Sequence, residues 1–248
     1  TTTAPTIASG STVTYSPTTG TVSAQDWAYH HLSVVTSGGA IIQLGANESI
    51  AGNLTVTSGT FDANNYTMTI AGSTTIDGGT MKTGTNTVTF GDGAGDAVTI
   101  SSGELQIESD DTTADIVKNA GTWTNSGGTI TYNAATSEST SLLSALSSYN
   151  NLTINSSGST YTLDGIIDVN ETLTITAGTL DTSSGNNYAV TVGGNWSNSG
   201  TFTARSGTVT LDDVSNTATI SGTTSFNNLT CTTASKAIVF TASTTTTV

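Results

Sequence analysis

Residues Tyr149–Asp181 read YNNLTINSSGSTYTLDGIIDVNETLTITAGTLD, and the stretch occurs twice. The earlier copy, Tyr29–Asp62, reads YHHLSVVTSGGAIIQLGANESIAGNLTVTSGTFD. Tyr29 aligns with Tyr149, Leu32 with Leu152, Gly38 with Gly158, Leu54 with Leu173 and Asp62 with Asp181. The offset is 120 residues at the start and 119 at the end. A third copy opens at Phe226 with FNNLTCTT. Internal repetition of this kind marks an architecture built from stacked units.

Inside each copy, apolar residues alternate with threonine: Leu-Thr-Val-Thr at 54–57, Thr-Met-Thr-Ile at 67–70 and Leu-Thr-Ile-Thr at 173–176. A period of two with β-branched residues predicts half-buried strands. Proline, which strand pairing disfavours, occurs only at Pro5 and Pro17. The nearest approach to a helical pattern is SLLSALSSY at Ser141–Tyr149, which predicts one helical turn in a loop.

Two further blocks recur. Val13, Ile130 and Val209 open matching segments, spaced 117 and 79 residues apart, and Tyr15, Tyr132 and Leu211 correspond within them. GTWTNSG at 121–127 matches GNWSNSG at 194–200, placing Trp123 opposite Trp196. The first copy is therefore longer by roughly 40 residues, mostly 91–120. A closed sandwich or barrel cannot take in that much strand without a new edge. A solenoid takes it in as about two extra coils, because each coil touches only its neighbours. The expected fold is an all-β, right-handed parallel β-helix (β-solenoid) of about 11 coils, with roughly 20 residues per coil. A β-sandwich pilin completed by a donated strand is the alternative. Each Thr-Φ-Thr should turn its apolar residue inward, so Leu152, Ile154, Leu173, Ile175, Leu180, Val190 and Val192 are core candidates. Gly59 and Gly178 are expected at φ > 0.

A single solenoid domain is expected over 11–240, with degenerate repeats at 29–148 and 149–225 and a partial one at 226–248. Residues 1–10 read as an extended arm and candidate donated strand, and 241–248 as a tail. Neither end carries a capping helix or a charged coil, so end-to-end association with copies of the chain is expected.

Only four residues are basic (Lys82, Lys118, Arg205, Lys236) against 18 acidic ones, for a net charge of -14. That balance excludes a basic nucleic-acid footprint and disfavours anionic membrane surfaces. No apolar run approaches the ~20 residues of a membrane span. The chain begins TTTAPT without Met, which reads as a mature sequence after signal removal. With one cysteine there is no internal disulfide. The Thr, Ser and Asn surface fits an extracellular protein.

Candidate chemistry is sparse. GDGAGDAV at 91–98 offers Asp92 and Asp96 as calcium ligands, and Glu108, Asp110, Asp111 and Asp115 form a second oxygen-rich cluster. Beyond calcium, no cofactor is expected. His30 and His31 suggest a metal pair, but adjacent strand residues face opposite ways. They also fill the slots of Asn150–Asn151 and Asn227–Asn228, which predicts a turn role. Cys231 falls in the slot of Ile154 and Val34 and is expected as buried core. Asp164 with Asp168, or Asp212 with Asp213, are the carboxylate pairs a glycosidase would need. Basic groups that polysaccharide-cleaving β-helices use are lacking, so no enzyme activity is expected. Asn-x-Ser/Thr sequons at Asn47, Asn53, Asn65, Asn151, Asn155, Asn170, Asn195 and Asn228 are candidate N-glycosylation sites.

Taken together over 11–235, the runs aromatic-Asn-Asn-Leu-Thr-Ile, Leu-Thr-Ile-Thr-x-Gly-Thr-Leu-Asp and Gly-Asn-Trp-Ser-Asn-Ser-Gly-Thr-Phe resemble repeats of prokaryotic secreted surface proteins and adhesins. These have β-helical stalks of the filamentous-haemagglutinin type. The resemblance implies a structural or adhesive role and carries over no catalytic residue. The expected function is an extracellular structural subunit of a head-to-tail filament or surface fibre. An adhesin segment that binds surface glycans is the alternative, and a polysaccharide-active enzyme ranks third.

Overall fold

A computed structural model describes residues 5–109, 111–112, 115–134, 139–143, 146–213, 217–241 and 245–248. Among these residues every regular element is a β-strand and every strand pair is parallel. Parallel neighbours cannot be joined by a tight hairpin, so the chain must travel round before it pairs. Here it returns in register roughly every 20 residues, giving a β-solenoid of about 11 turns. Contacts divide it into two compact units, Thr1–Gly128 and Thr129–Val248.

The alternation read from the sequence sets the faces. In Val190–Val192 and Val88–Phe90 both outer residues are buried and the threonine between them is half-exposed. Parallel pairing then stacks like on like. In the second unit one inward row runs Ile130, Leu152, Leu173, Trp196, Ile220, Phe240. A second runs Tyr149, Val169, Val192, Leu211, Cys231. All seven core candidates of this unit, from Leu152 to Val192, are fully buried. In the first unit one row runs Val13, Leu32, Leu54, Thr74, Val98, Trp123, and another Val22, Ile42, Phe61, Met81, Leu105. Two coils, at Thr74 and Val98, thus separate Leu54 from Trp123, whereas Leu173 pairs directly with Trp196. The extra length of the first copy is accommodated by these coils.

Gly59 and Gly178 take φ of 70° and 83°. A side chain at Gly178 would strike the Ser156 carbonyl one coil away, so both conformation and space demand glycine.

Several expectations change. In all three copies the opening strand pairs with the aligned later strand, at Val13–Leu32, Ile130–Leu152 and Val209–Leu229. Within the second unit, Ile130–Leu152 lies in the large sheet but Val209–Leu229 in the five-stranded one. Repetition of sequence therefore preserves the local pairing and not the face. Cys231 consequently continues the row of Leu211 and Val192, and it is exposed, because no described strand pairs beyond it. It is not core. The stretch 141–149 contains no helix among its described residues. Leu142, Leu143 and Leu146 are buried between the short strands Ser139–Ser141 and Ser148–Tyr149, and 144–145 lie outside the described residues. Residues 5–10 pair with no strand of their own chain, which leaves the expected arm as it was, and the Ser11 N–H donates to the Ala8 carbonyl. In the tail, Thr246–Thr247 pairs with Thr224–Ser225.

The inward rows should dominate stability. Ile175→Ala, which empties a fully buried slot between Ile154 and Asn198, is expected to cost about 2–5 kcal/mol in urea unfolding. Thr174→Ala, outward on the same strand, should stay within about 0.5 kcal/mol.

Candidate functional site

The sequence candidates separate once side chains are placed. Asp96 Oδ2 accepts the N–H groups of Asp92 (3.1 Å) and Gly93 (3.2 Å), and the Asp96 N–H returns to the Gly93 carbonyl (3.1 Å). The Asp96 carboxylate thus closes its own turn, while Asp92 is exposed. Glu108 pairs with Lys82 at 2.7 Å, and Asp115 accepts a hydrogen bond from Ser109 at 2.9 Å. Asp110 lies outside the described residues, and Asp111 donates its N–H to Ser109 Oγ. Among the described residues no three His, Cys, Asp or Glu side chains converge as a metal site. Asp168 is held above the usual carboxylate range by burial first and then by the charge of Asp212. Asp164 and Asp212 are exposed and Asp213 is half-buried.

The sequon asparagines act as clamps between coils. Oδ1 of Asn47, Asn53, Asn65, Asn151 and Asn195 accepts the N–H of Thr67 (3.0 Å), Ser73 (3.0 Å), Thr85 (2.9 Å), Thr172 (3.2 Å) and Thr219 (2.9 Å). Asn155, Asn170 and Asn228 donate through Nδ2 to Asn133, Ser148 and Thr208. Each contact reaches back or forward by about one coil, so the asparagine satisfies a turn that the strand ladder leaves open. His31 plays the same part, its Nδ1 accepting the Asn53 N–H at 2.8 Å. The rings of His30 and His31 meet edge to face with centroids 4.4 Å apart. Nδ1 of His30 is buried with no hydrogen-bond partner.

His30 leads to a site the sequence reading missed. The strand Glu48–Ile50 pairs with Met68–Ile70, which places Glu48 in an inward row with Met68, Val88 and Ile116. Glu48 is only 9% exposed, and it borders an open cavity of about 530 Å³ in the first unit. Asp26, Trp27, Tyr29, His30 and Ile7 line the same cavity. The Glu48 Oε1 accepts the Ser49 N–H at 3.0 Å, and Oε2 has no hydrogen-bond partner among the described residues.

Local hydrogen bonds fix this wall. The Trp27 N–H donates to the Gln25 carbonyl and the Tyr29 N–H to the Trp27 carbonyl, each at 2.9 Å. These tight turns send the Tyr29 side chain into the core and leave Trp27 partly exposed. Tyr29 Oη donates to the Gln25 carbonyl at 2.6 Å; Tyr15 Oη lies 2.6 Å from it and accepts the Gln25 N–H at 2.8 Å. Burial, then the Tyr15 hydrogen bond, pushes the Tyr29 phenol far up, so Tyr29 stays neutral. Burial likewise pushes the Glu48 carboxyl up to about 7; the Ser49 N–H opposes the shift and the charge of Asp26 adds to it.

The signal for Glu48 was its spacing: Glu-Ser-Ile places residue 48 on the same face as Ile50, so the alternation requires a carboxylate in a core slot. The pairings Tyr29–Ile50 and Tyr149–Val169 align Glu48 with Ile167 of the second copy.

A raised carboxyl binds its proton more tightly in the folded state, so Glu48 lowers stability as pH climbs from near 4.5 through about 7. Glu48→Gln is expected to leave unfolding unchanged at pH 4 and to stabilise the chain at pH 8 by roughly 1–3 kcal/mol. Urea melts of both proteins at the two pH values check this.

No family model, curated protein or solved structure matches the chain.

Proposed function

We propose that the chain is a structural β-solenoid subunit that joins copies of itself head to tail, by strand pairing, in a filament or surface fibre outside the cell. The observation that carries this reading is the state of the outermost coils. Asn228–Cys231, Ile238–Phe240 and Thr246–Thr247 each pair on one side only among the described residues. Phe240 occupies the inward row of Leu173 and Trp196 yet is 53% exposed, and Val239 beside it is 48% exposed. In the first unit Thr12–Tyr15 and Thr21–Ala24 likewise pair on one side only among the described residues, with Val13, Tyr15 and Val22 half-exposed.

An edge with free N–H and C=O groups and uncovered apolar side chains is a template for another strand. The two ends differ, so their association is heterologous, and a heterologous contact that does not close on itself propagates. Added strands of this type gain affinity from main-chain hydrogen bonds, with side-chain slots setting the register. The acidic, Thr- and Asn-rich surface supports an extracellular setting.

Concentration-dependent assembly is expected in sedimentation velocity, with fibres visible by electron microscopy. Phe240→Asp, which puts a charge on the uncovered row, should leave a folded monomer. A wild-type chain that stays monodisperse and monomeric at high concentration contradicts the reading.

A further inference from the structure

The two repeat copies share one frame around their tyrosines. Tyr15 and Tyr29 in the first unit correspond to Tyr132 and Tyr149 in the second, and each pair of hydroxyls lies in contact, at 2.6 and 3.4 Å. Tyr29 and Tyr149 pair with the equivalent strands, at Ile50 and Val169. Counting outward from these anchors, Asp26, Trp27, His30 and Glu48 correspond to Leu146, Ser147, Asn150 and Ile167. In the second copy Leu146 and Ile167 are buried apolar residues, as a solenoid core requires. The first copy carries carboxylates in both places and an indole between them. All four replaced residues line one cavity.

A carboxyl in a core slot costs stability unless it is paired. Departures from the pattern that the rest of the fold obeys are expected where a site is built. Here the departure exposes acceptors and aromatic faces together. Among the described residues Glu48 Oε2 and the buried His30 Nδ1 have no hydrogen-bond partner, and Asp26 is exposed. Tyr29 offers no donor, since its hydroxyl hydrogen is held by the Gln25 carbonyl. Trp27 stands partly exposed with its ring 6.2 Å from that of Tyr29.

We propose that this cavity binds an organic cation, the alkylammonium or guanidinium head of a free amine or of a protein side chain, held by Glu48 and Asp26 against the face of Trp27. The two carboxylates of this lining call for a cationic donor as ligand. An indole face beside two carboxylates is the environment in which cation–π attraction adds to charge pairing. Three of the chain's four basic side chains are engaged elsewhere: Lys82 with Glu108 and Asp62, Arg205 with Asp181, and Lys236 with the carbonyls of Gly193 and Asp213. A net charge of -14 draws further cations toward the surface. This site lies beside the Thr21–Ala24 edge of the proposed association and is built within one chain.

The test follows the three indole N–H signals by ¹H–¹⁵N NMR in the monomeric Phe240→Asp chain, with that of Trp27 identified by Trp27→Phe. The probes are n-butylamine and the capped amino acids N-acetyl-lysine methylamide and N-acetyl-arginine methylamide. Saturable movement of the Trp27 signal alone is expected, with affinity weakened about tenfold or more by Glu48→Ile, which installs the residue of the second copy. The Trp123 and Trp196 signals report that the variant remains folded. Binding of n-butylamine as tightly as the capped lysine marks the head group alone as sufficient and a free amine as the source. Preference for a capped residue marks a protein side chain. The proposal is overturned if no cation shifts Trp27, if Glu48→Ile binds as well as the parent, or if a neutral glucose oligosaccharide or calcium chloride produces the same shift.

Discussion

The constraint on which everything else depends is the parallel, in-register return of the chain about every 20 residues. A parallel ladder forces each strand to meet its neighbour only after a full circuit. Register then decides the core, because a slip of one residue would turn every buried side chain outward. In the second unit this holds Leu152, Leu173, Trp196 and Ile220 in one row and Thr153, Thr174, Ser197 and Ser221 in the outward one. Glycine at 59 and 178, and asparagines whose side chains reach across one coil, keep the turns at the length that register needs.

Much of this was legible in the residues, for a physical reason. A strand buried on one face must alternate, and identical coils must repeat, so Leu-Thr-Ile-Thr and its copies announce the fold without any helix signal. The added length of the first copy was legible as coils because a solenoid is nearly one-dimensional. The face on which the third copy pairs was not legible. FNNLTC and YNNLTI are near-identical as strings, and both pair with the strand preceding them, yet Leu229 and Leu152 lie in different sheets. Local sequence sets which strands pair, while the number of residues between them sets where round the coil the pair falls. Cys231 was misplaced for the same reason, and it is exposed where no described strand pairs beyond it.

The candidate site was less legible. Asp92 and Asp96 looked like ligands because turn acids and calcium acids share the same short spacing; only the geometry shows Asp96 bonded to its own turn. Glu48 was overlooked because it sits inside a sequon-containing turn segment, where a charged residue is unremarkable. Its burial becomes visible when the ladder places it beside Met68 and Val88. Asp26, Trp27, His30 and Glu48 span 23 residues of sequence and meet only because one circuit of the coil brings them together. A fold that is regular in its repeats thus makes its exceptions informative: Ile167 shows what residue 48 would be if packing alone were served.

The most direct test of this account is the order of the inward row, read by methyl NOE spectroscopy on a Leu- and Ile-labelled Phe240→Asp chain. The account predicts that the Leu173 methyl groups contact both Leu152 and the Trp196 ring, and that Ile220 contacts Trp196 in turn. Contact of Leu173 with only one of these neighbours, or a crossed pattern of the kind antiparallel strands give, would contradict it.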